Sequence, residues 1–502
     1  MNNGRRRPLT WLLPILGVVL IAGQPSGVAR ATDSLLIERP EFQQVWDRTE
    51  APVANGDSPR SWLWGPEPRT GKIVERYLES PNEERAVQYF DKGRMEINDP
   101  SADPSDPWFV TSGLLTRELI SGELQIGDDA FLSTGSGASI QVAGDHMNPF
   151  PQYRHLDMIV DQGNPDRTGE IADKVLTPDG LDPDALPPDD PRSTFAHYIT
   201  YHGTEGSDVG YNIPEAFWDY LNAAGTVYDQ AGDPTIADPL FDWIFVMGFP
   251  IADAFWAEVP VNNVPQWVLI QPFERRVLTY TPGNAPEWQV EMGNIGQHYR
   301  DWRSQYFPVA DNNGDKSNFA LYDDADWHFR ITTGGDEIWE MTSSTDSFIP
   351  GSSLHARNEY RLDGLRTTYW SAGEEGLFLH GWDLRDGQRS LVDMVVYSPA
   401  LHVLPDEWGP TEITSDATAI SLLSDPETES ITFNTVTRQL VSTYTGVFQT
   451  WRVESSDFDN SAIRHDLGQT FWFEPEIGTV MWRFDSQASA MLLNSSLLEN
   501  DE

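Results

Sequence analysis

The sequence predicts a mainly β protein with short helices (α+β), in which a small helix-plus-antiparallel-sheet module occurs twice and an antiparallel β domain follows. Three observations predict it. Four short blocks recur in the same order in two separated stretches. Each set opens with apolar residues at helical spacing and continues in short runs of strand composition. From about Phe319 the chain alternates apolar and polar residues between regular turn signals, with no amphipathic helix.

Residues 1–31 read as a signal peptide. Arg5-Arg6-Arg7 forms a basic leader, Leu9 to Gly23 is apolar apart from Thr10 and Pro14, and Ala29-Arg30-Ala31 offers small residues for cleavage before Thr32. The apolar run is shorter than the roughly 20 residues a spanning helix needs, which favours cleavage over an uncleaved anchor. No later segment is apolar enough to span.

The first module takes residues 32–120 and the second 212–308. Pro40-Glu41-Phe42 leads to Val45 and Trp46, and Pro214-Glu215 leads to Phe217, Tyr220 and Leu221. Each set forms one buried helix face, with proline and glutamate suited to the first turn and Gly225 expected to stop the second helix. Trp64-Gly65-Pro66 answers Met247-Gly248-Phe249-Pro250. Twenty-three residues after each glycine stand Gln88-Tyr89-Phe90-Asp91-Lys92 and Gln271-Pro272-Phe273-Glu274-Arg275, inside expected strands. Trp108 to Gly113 and Trp288 to Gly293 close the two sets, and the extra residues of the first fall in the loop Asp99 to Pro107.

The intervening residues 121–211 hold a Gly/Ser/Asp turn region and a Pro/Asp-rich loop, and they read as part of a composite N-terminal domain. Residues 309–318 read as a polar linker. Asp311-Asn312-Asn313-Gly314-Asp315 begins like a calcium loop, but Lys316 stands where that loop needs glycine and no acid closes it. The C-terminal β domain takes residues 319–487, followed by a polar tail at 488–502. Its expected strands are Trp327–Thr332, Glu337–Thr342, Arg366–Trp370, Leu377–Trp382, Leu391–Tyr397, Ser430–Thr437, Gln449–Glu454, Thr470–Phe473 and Gly478–Phe484.

The blocks Gly248-Phe249-Pro250-Ile251, Gln271-x-Phe273-Glu274-Arg275 and Val290-x-x-Gly293 resemble a repeat of uncharacterised secreted bacterial proteins, and Gln88 to Arg94 matches its strand more closely. The arrangement is loosely similar to the LGFP repeat of bacterial cell-envelope proteins. Gly446 to Val453 and Trp472 to Gly478 resemble a pattern near the end of extracytoplasmic β domains, with Glu476 in place of its central glycine. These resemblances imply an extracellular or envelope location and no settled activity.

The formal charge of −45 repels nucleic acid and anionic membrane surfaces, which sets both aside as partners. Lysine occurs only at Lys72, Lys92, Lys174 and Lys316; a lysine-poor acidic surface suits high salt, though arginine bias also follows genome composition. The absence of cysteine excludes disulfides, thiolate zinc sites and cysteine nucleophiles. No G-x-S-x-G elbow, P-loop, H-E-x-x-H or dinucleotide fingerprint is present, so no cofactor, metal or catalytic residue is assigned. His197 and His202 are five residues apart, on opposite faces of a strand or poorly aligned on a helix, which disfavours a joint metal site. Asp145-His146 and His155-x-Asp157 lie among turns and read as surface pairs, and the matched Asp91 and Glu274 read as structural ion-pair members.

Trp62, Trp64, Trp243 and Trp256 cluster around the glycine-proline turns and are the candidate ligand-binding residues: exposed together, they would stack on sugar rings, and buried they are module core. The favoured function is a secreted or envelope-associated, non-catalytic protein that binds glycan or another surface component through its modules. A hydrolase of extracellular polymers and a structural spacer are the alternatives.

Overall fold

A computed structural model describes residues 35–203, 206–331, 338–361, 364–456, 470–483 and 489–498. The signal segment lies outside the described residues.

The first module begins with helices α1 (Pro40–Thr49) and α2 (Ala51–Ala54). Four strands follow, β1 (Ile73–Arg76), β2 (Glu84–Phe90), β3 (Gly93–Ile97) and β4 (Thr111–Ser112), then helix α3 (Leu115–Ser121). The intervening segment supplies three hairpins: β5 (Glu123–Gln125) with β6 (Phe131–Ser133), β7 (Val175–Thr177) with β8 (Gly180–Asp182), and β9 (Phe195–His202) with β10 (Asp208–Pro214). The second module holds α4 (Glu215–Leu221), β11 (Gly225–Tyr228), β12 (Pro234–Ala237) and α5 (Trp243–Met247). It continues with β13 (Phe255–Val261), β14 (Val264–Pro272), β15 (Val277–Tyr280), β16 (Val290–Met292) and α6 (Ile295–Tyr306). Gly225 does not stop α4; it opens β11. The helix is closed by Asn222, whose amide donates to the Trp218 carbonyl at 2.8 Å.

The sheets β1-β2-β3-β4 and β13-β14-β15-β16 share one register. Gln88 pairs with Met95 as Gln271 pairs with Leu278, and Ser112 pairs with Met95 as Met292 pairs with Leu278. Gln88 donates to the carbonyls of Leu36 and Thr70, both at 2.8 Å, and Gln271 to those of Asn212 and Ala252 at 2.9 and 3.0 Å. Lys92 N donates to Trp64 O at 3.0 Å and Arg275 N to Met247 O at 2.9 Å. In each module the acid packs on the turn glycine: a β-carbon on Gly65 would meet Asp91 at 3.1 Å, and one on Gly248 would meet Glu274 at 2.7 Å.

The two modules contact each other reciprocally. Gln297 N of α6 donates to Asp91 O at 3.1 Å, and Arg117 N of α3 donates to Glu274 O at 3.3 Å. One apolar core contains Phe42, Leu63, Trp64 and Phe90 of the first module together with Phe217, Trp256, Phe273 and Leu278 of the second. Strand β7 pairs parallel with β13 at Val175 and Trp256, which joins the intervening segment to the second sheet.

Within the first sheet lies a buried ionic network. Glu75 meets Arg303 at 2.6 Å and Arg94 and Arg85 at 3.3 Å, and accepts from Tyr89 Oη at 2.6 Å. Arg94 also meets Glu96 at 2.5 Å and Glu118 at 3.2 Å, and Glu118 accepts from Tyr299 Oη at 2.5 Å. Burial would raise the Glu75 carboxyl, but Arg303, Arg94 and Arg85 outweigh it and hold it far below the usual carboxylate range.

The C-terminal domain is a closed antiparallel barrel of twelve consecutive strands. They are β17 (Asp326–Ile331), β18 (Ile338–Asp346), β19 (Leu354–Arg361), β20 (Gly364–Gly373), β21 (Gly376–Asp386) and β22 (Leu391–Pro405). The rest are β23 (Thr411–Ser421), β24 (Glu427–Ser442), β25 (Val447–Ser456), β26 (Thr470–Glu474), β27 (Gly478–Arg483) and β28 (Ser489–Ser495). Strand β28 closes the barrel on β17, so the segment read as a polar tail supplies a barrel strand. Along β23, Ser415, Ala417 and Ala419 are buried while Glu412, Thr414 and Asp416 are exposed, giving an apolar lumen and a polar outer face. Aromatic side chains fill the interior, and Arg357 lies over Trp370 and Trp327 at 5.4 and 5.9 Å.

The expected linker is held to the barrel: Gly314 N donates to Ala372 O at 2.9 Å, and Asp311 accepts from Asn313 N and Glu374 N at 3.0 and 3.1 Å. Arg76 of β1 binds Asp383 at 2.8 Å and Tyr369 Oη at 3.0 Å, and Arg385 of β21 binds Glu83 at 2.5 Å. The outer wall of the barrel shares a core with the N-terminal unit through Phe348, Leu354, Tyr369 and Met394.

Candidate functional site

The four expected tryptophans do not form one surface. Trp64 and Trp256 are buried in the core shared by the modules. Trp64 lies under the Arg276 guanidinium at 4.6 Å, and Trp256 Nε1 donates to Ala172 O at 3.0 Å. Both are removed as ligand-stacking residues, because at 1% and 0% exposure the surrounding core leaves no free ring face. Trp62 is half-buried. Trp243 is half-buried too, and it belongs to a row of rings that the turn motifs do not announce.

That row is built from three elements. Strand β9 turns His197, Ile199 and Tyr201 to one side, since alternate strand positions share a face. Helix α4 contributes Trp218. Helix α5, capped by the Asp242 carboxylate on Ile244 N and Phe245 N at 2.9 and 3.2 Å, contributes Trp243 and leads into the Gly248-Phe249-Pro250 turn. His197 stacks on Trp218 with centroids 4.1 Å apart, and Trp218 meets Trp243 edge-on at 6.4 Å. Trp243 meets Phe249 edge-on at 6.3 Å, and Phe249 stacks on Tyr201 at 4.5 Å. Tyr201 Oη donates to Pro250 O at 2.9 Å, which fixes the far end. His197 is exposed and the other four rings are half-buried, so a continuous aromatic surface meets solvent. Partly exposed indole and phenol rings offer apolar faces and polar edges together, the combination that holds amphipathic ligands.

Apart from His197, the other groups singled out in the sequence make contacts that hold the fold. His197 and His202 do lie on opposite faces of β9, and His202 pairs with Asp208 at 3.2 Å. Asp145 accepts from Asn262 N and Asn263 N at 2.8 and 2.7 Å, pinning the tip of the β13–β14 hairpin. His155 Nδ1 accepts from Gln152 N at 3.0 Å. Asp91 pairs with Arg69 and accepts from Gln297 Nε2 at 2.5 Å, while Glu274 pairs with Arg117 at 3.4 Å and accepts from Phe249 N at 3.0 Å. Their ion-pair partners are therefore distant in sequence rather than the adjacent Lys92 and Arg275.

Among the described residues one serine–imidazole pair has hydrogen-bond geometry: Ser371 Oγ and His380 Nε2 are 2.9 Å apart on β20 and β21. Both are buried in the barrel wall, at 1% and 6% exposure, so no substrate reaches them; burial also lowers His380 to about 4. Among the described residues no group of three His, Asp or Glu side chains converges as metal ligands would.

The chain matches no protein-family model, no curated protein and no solved structure.

Proposed function

We propose that this is an exported, non-catalytic binding protein that holds a glycan on the aromatic row formed by the second module and strand β9. The carrying observation is the unbroken run of ring contacts from His197 through Trp218, Trp243 and Phe249 to Tyr201 on a solvent-facing surface. Sugar rings present C–H faces that stack on such surfaces with little demand for sequence-specific hydrogen bonds. The signal-like segment 1–31 and the acidic, cysteine-free composition support an extracellular or envelope setting. We also infer that the two modules descend from one duplicated unit, supported by their matched glutamine, glycine and acid contacts and by the reciprocal bonds between them.

The test is retention of the mature chain on insoluble polysaccharides and purified cell wall. A Trp218→Ala/Trp243→Ala double variant is expected to lose roughly tenfold or more in affinity, about 0.5–1.5 kcal/mol per stacked ring, with an unchanged far-ultraviolet circular dichroism spectrum. Absence of retention of the native chain on every polymer would overturn the reading.

A further inference from the structure

A second surface site lies apart from the aromatic row. Helix α4 turns Trp218 toward the row and Ala216, Asp219 and Tyr220 toward an open cleft of about 630 Å³, a size suited to a small ligand. The first module closes one side of this cleft with Ser58–Leu63, and the second supplies the apolar wall, including Ile236, Leu240, Phe241 and Val290. Its polar lining includes Ser58, Arg60, Ser61 and Tyr220, together with the acid Glu287. Arg192 and Asp219 also line the cleft but neutralise each other at 2.7 Å.

Behind Arg60, beneath the cleft lining, buried charge is unbalanced. Glu50 and Arg276 are fully buried there, so two guanidiniums, of Arg60 and Arg276, face one carboxylate. Glu50 commits one oxygen to Leu63 N and Trp64 N at 2.9 and 3.2 Å. Its other oxygen is 3.9 Å from Arg60 Nη1, too far for a hydrogen bond. Arg60 Nε and Glu50 Oε1 are buried without hydrogen-bond partners. Burial lowers both guanidiniums, Arg276 to about 9. An excess of buried cation is costly unless an anion compensates it, and here it persists in a chain of net charge −45.

The cleft at the matched place of the first module is different. It holds about 960 Å³ between α1 and the loop before β4, lined by Glu41, Asp47, Asp106 and Asp229 against Arg48. A buried, incompletely paired guanidinium in the wall is thus particular to the second cleft.

We propose that this cleft binds a small amphiphile carrying one carboxylate. Its carboxylate sits on Arg60 and the hydroxyls of Ser58, Ser61 and Tyr220, and its apolar body lies along Leu240, Phe241 and Ile236. The site does not depend on the glycan reading of the row.

Calorimetric titration of the full chain with octanoate, octanol and octylamine tests it. Octanoate is expected to bind at least tenfold more tightly than octanol, with octylamine weakest, about the strength of one hydrogen bond to a charged group. Arg60→Gln is expected to abolish the preference for octanoate over octanol. Ile236→Glu, at a rim position that is 69% exposed and so tolerant of change, is expected to weaken both ligands. If Arg60→Gln does not fold, the octanoate-to-octanol ratio of the native chain and the Ile236→Glu variant still decide. Equal affinity for octanoate and octanol, binding indifferent to Ile236→Glu, or no binding of octanoate overturns the proposal.

Discussion

The two modules share a backbone frame and differ in what the frame encloses. The same strand pairings, the same glutamine with two carbonyls and the same acid on a glycine hold both sheets. Yet Arg85 and Arg94 of the first sheet stand where the second has Val268 and Val277, so one sheet buries an ionic network and the other buries aliphatic chains. The hairpin tips differ likewise. Both turn through two left-handed residues, Asn82–Glu83 and Asn262–Asn263. The first tip docks on the barrel through Glu83 and Arg385, and the second is held by Asp145. Local frame and interior chemistry are therefore separable: backbone bonds set the module, and side chains assign it to a neighbour or to solvent. The first module is tied to the barrel, whereas the second, together with β9, carries the exposed aromatic row.

The largest expected effect comes from breaking the network. Arg94→Ala leaves Glu75, Glu96 and Glu118 short of a buried cation and is expected to cost about 3–5 kcal/mol. Val277→Ala at the matched position is expected to cost about 2 kcal/mol. Urea unfolding of the two variants checks this, and equal costs would erase the proposed distinction between the interiors.

Next come the matched glycines. Gly248 has φ +72° and ψ −173°, a region nearly reserved for glycine, and a β-carbon there would meet Glu274 at 2.7 Å. Gly248→Ala is expected to destabilise by about 1–3 kcal/mol. Gly65→Ala, with 3.1 Å to Asp91, is expected to cost less, and the order of the two thermal midpoints is the measurement.

The pH dependence sharpens the same contrast. Glu75 titrates below its unfolded value, so its contribution is complete above about pH 4.3 and is lost as pH falls toward its folded value. The stability gap between the native chain and Glu75→Gln is therefore expected to be constant from neutral pH down to about pH 5 and to shrink below it. Chemical unfolding at stepped pH checks this; a gap that widens in acid would contradict the assignment. The smallest effect is expected from Asp145→Ala, about 1 kcal/mol for two exposed charge-assisted bonds at the second hairpin tip, read by hydrogen exchange of the Asn262 and Asn263 amides.

Much of the β architecture was legible in the sequence because strand alternation and turn residues are local signals. Nine of the barrel strands overlap runs readable from pattern alone. Strands β19, β23 and β28 did not read as strands. The first, Leu354–Arg361, is rich in charge, and the second, Thr411–Ser421, turns small Ser and Ala residues inward in place of large apolar ones. The third lies in a polar tail whose apolar residues gain meaning only when β17 pairs with them.

The candidate site was less legible. Trp243 and the Gly-Phe-Pro turn were visible, but His197, Tyr201 and Trp218 come from elements far apart in sequence, and only folding aligns their rings. By itself the sequence determined the paired blocks, the β class and the acidic, cysteine-free character, because each is carried by spacing or composition. Tertiary structure alone decided which tryptophans face water, that the modules meet through reciprocal bonds, and that the chain's last described strand closes a barrel. Exposure and closure depend on what packs opposite a residue, and that partner is chosen by the fold rather than by the residue's neighbours in the chain.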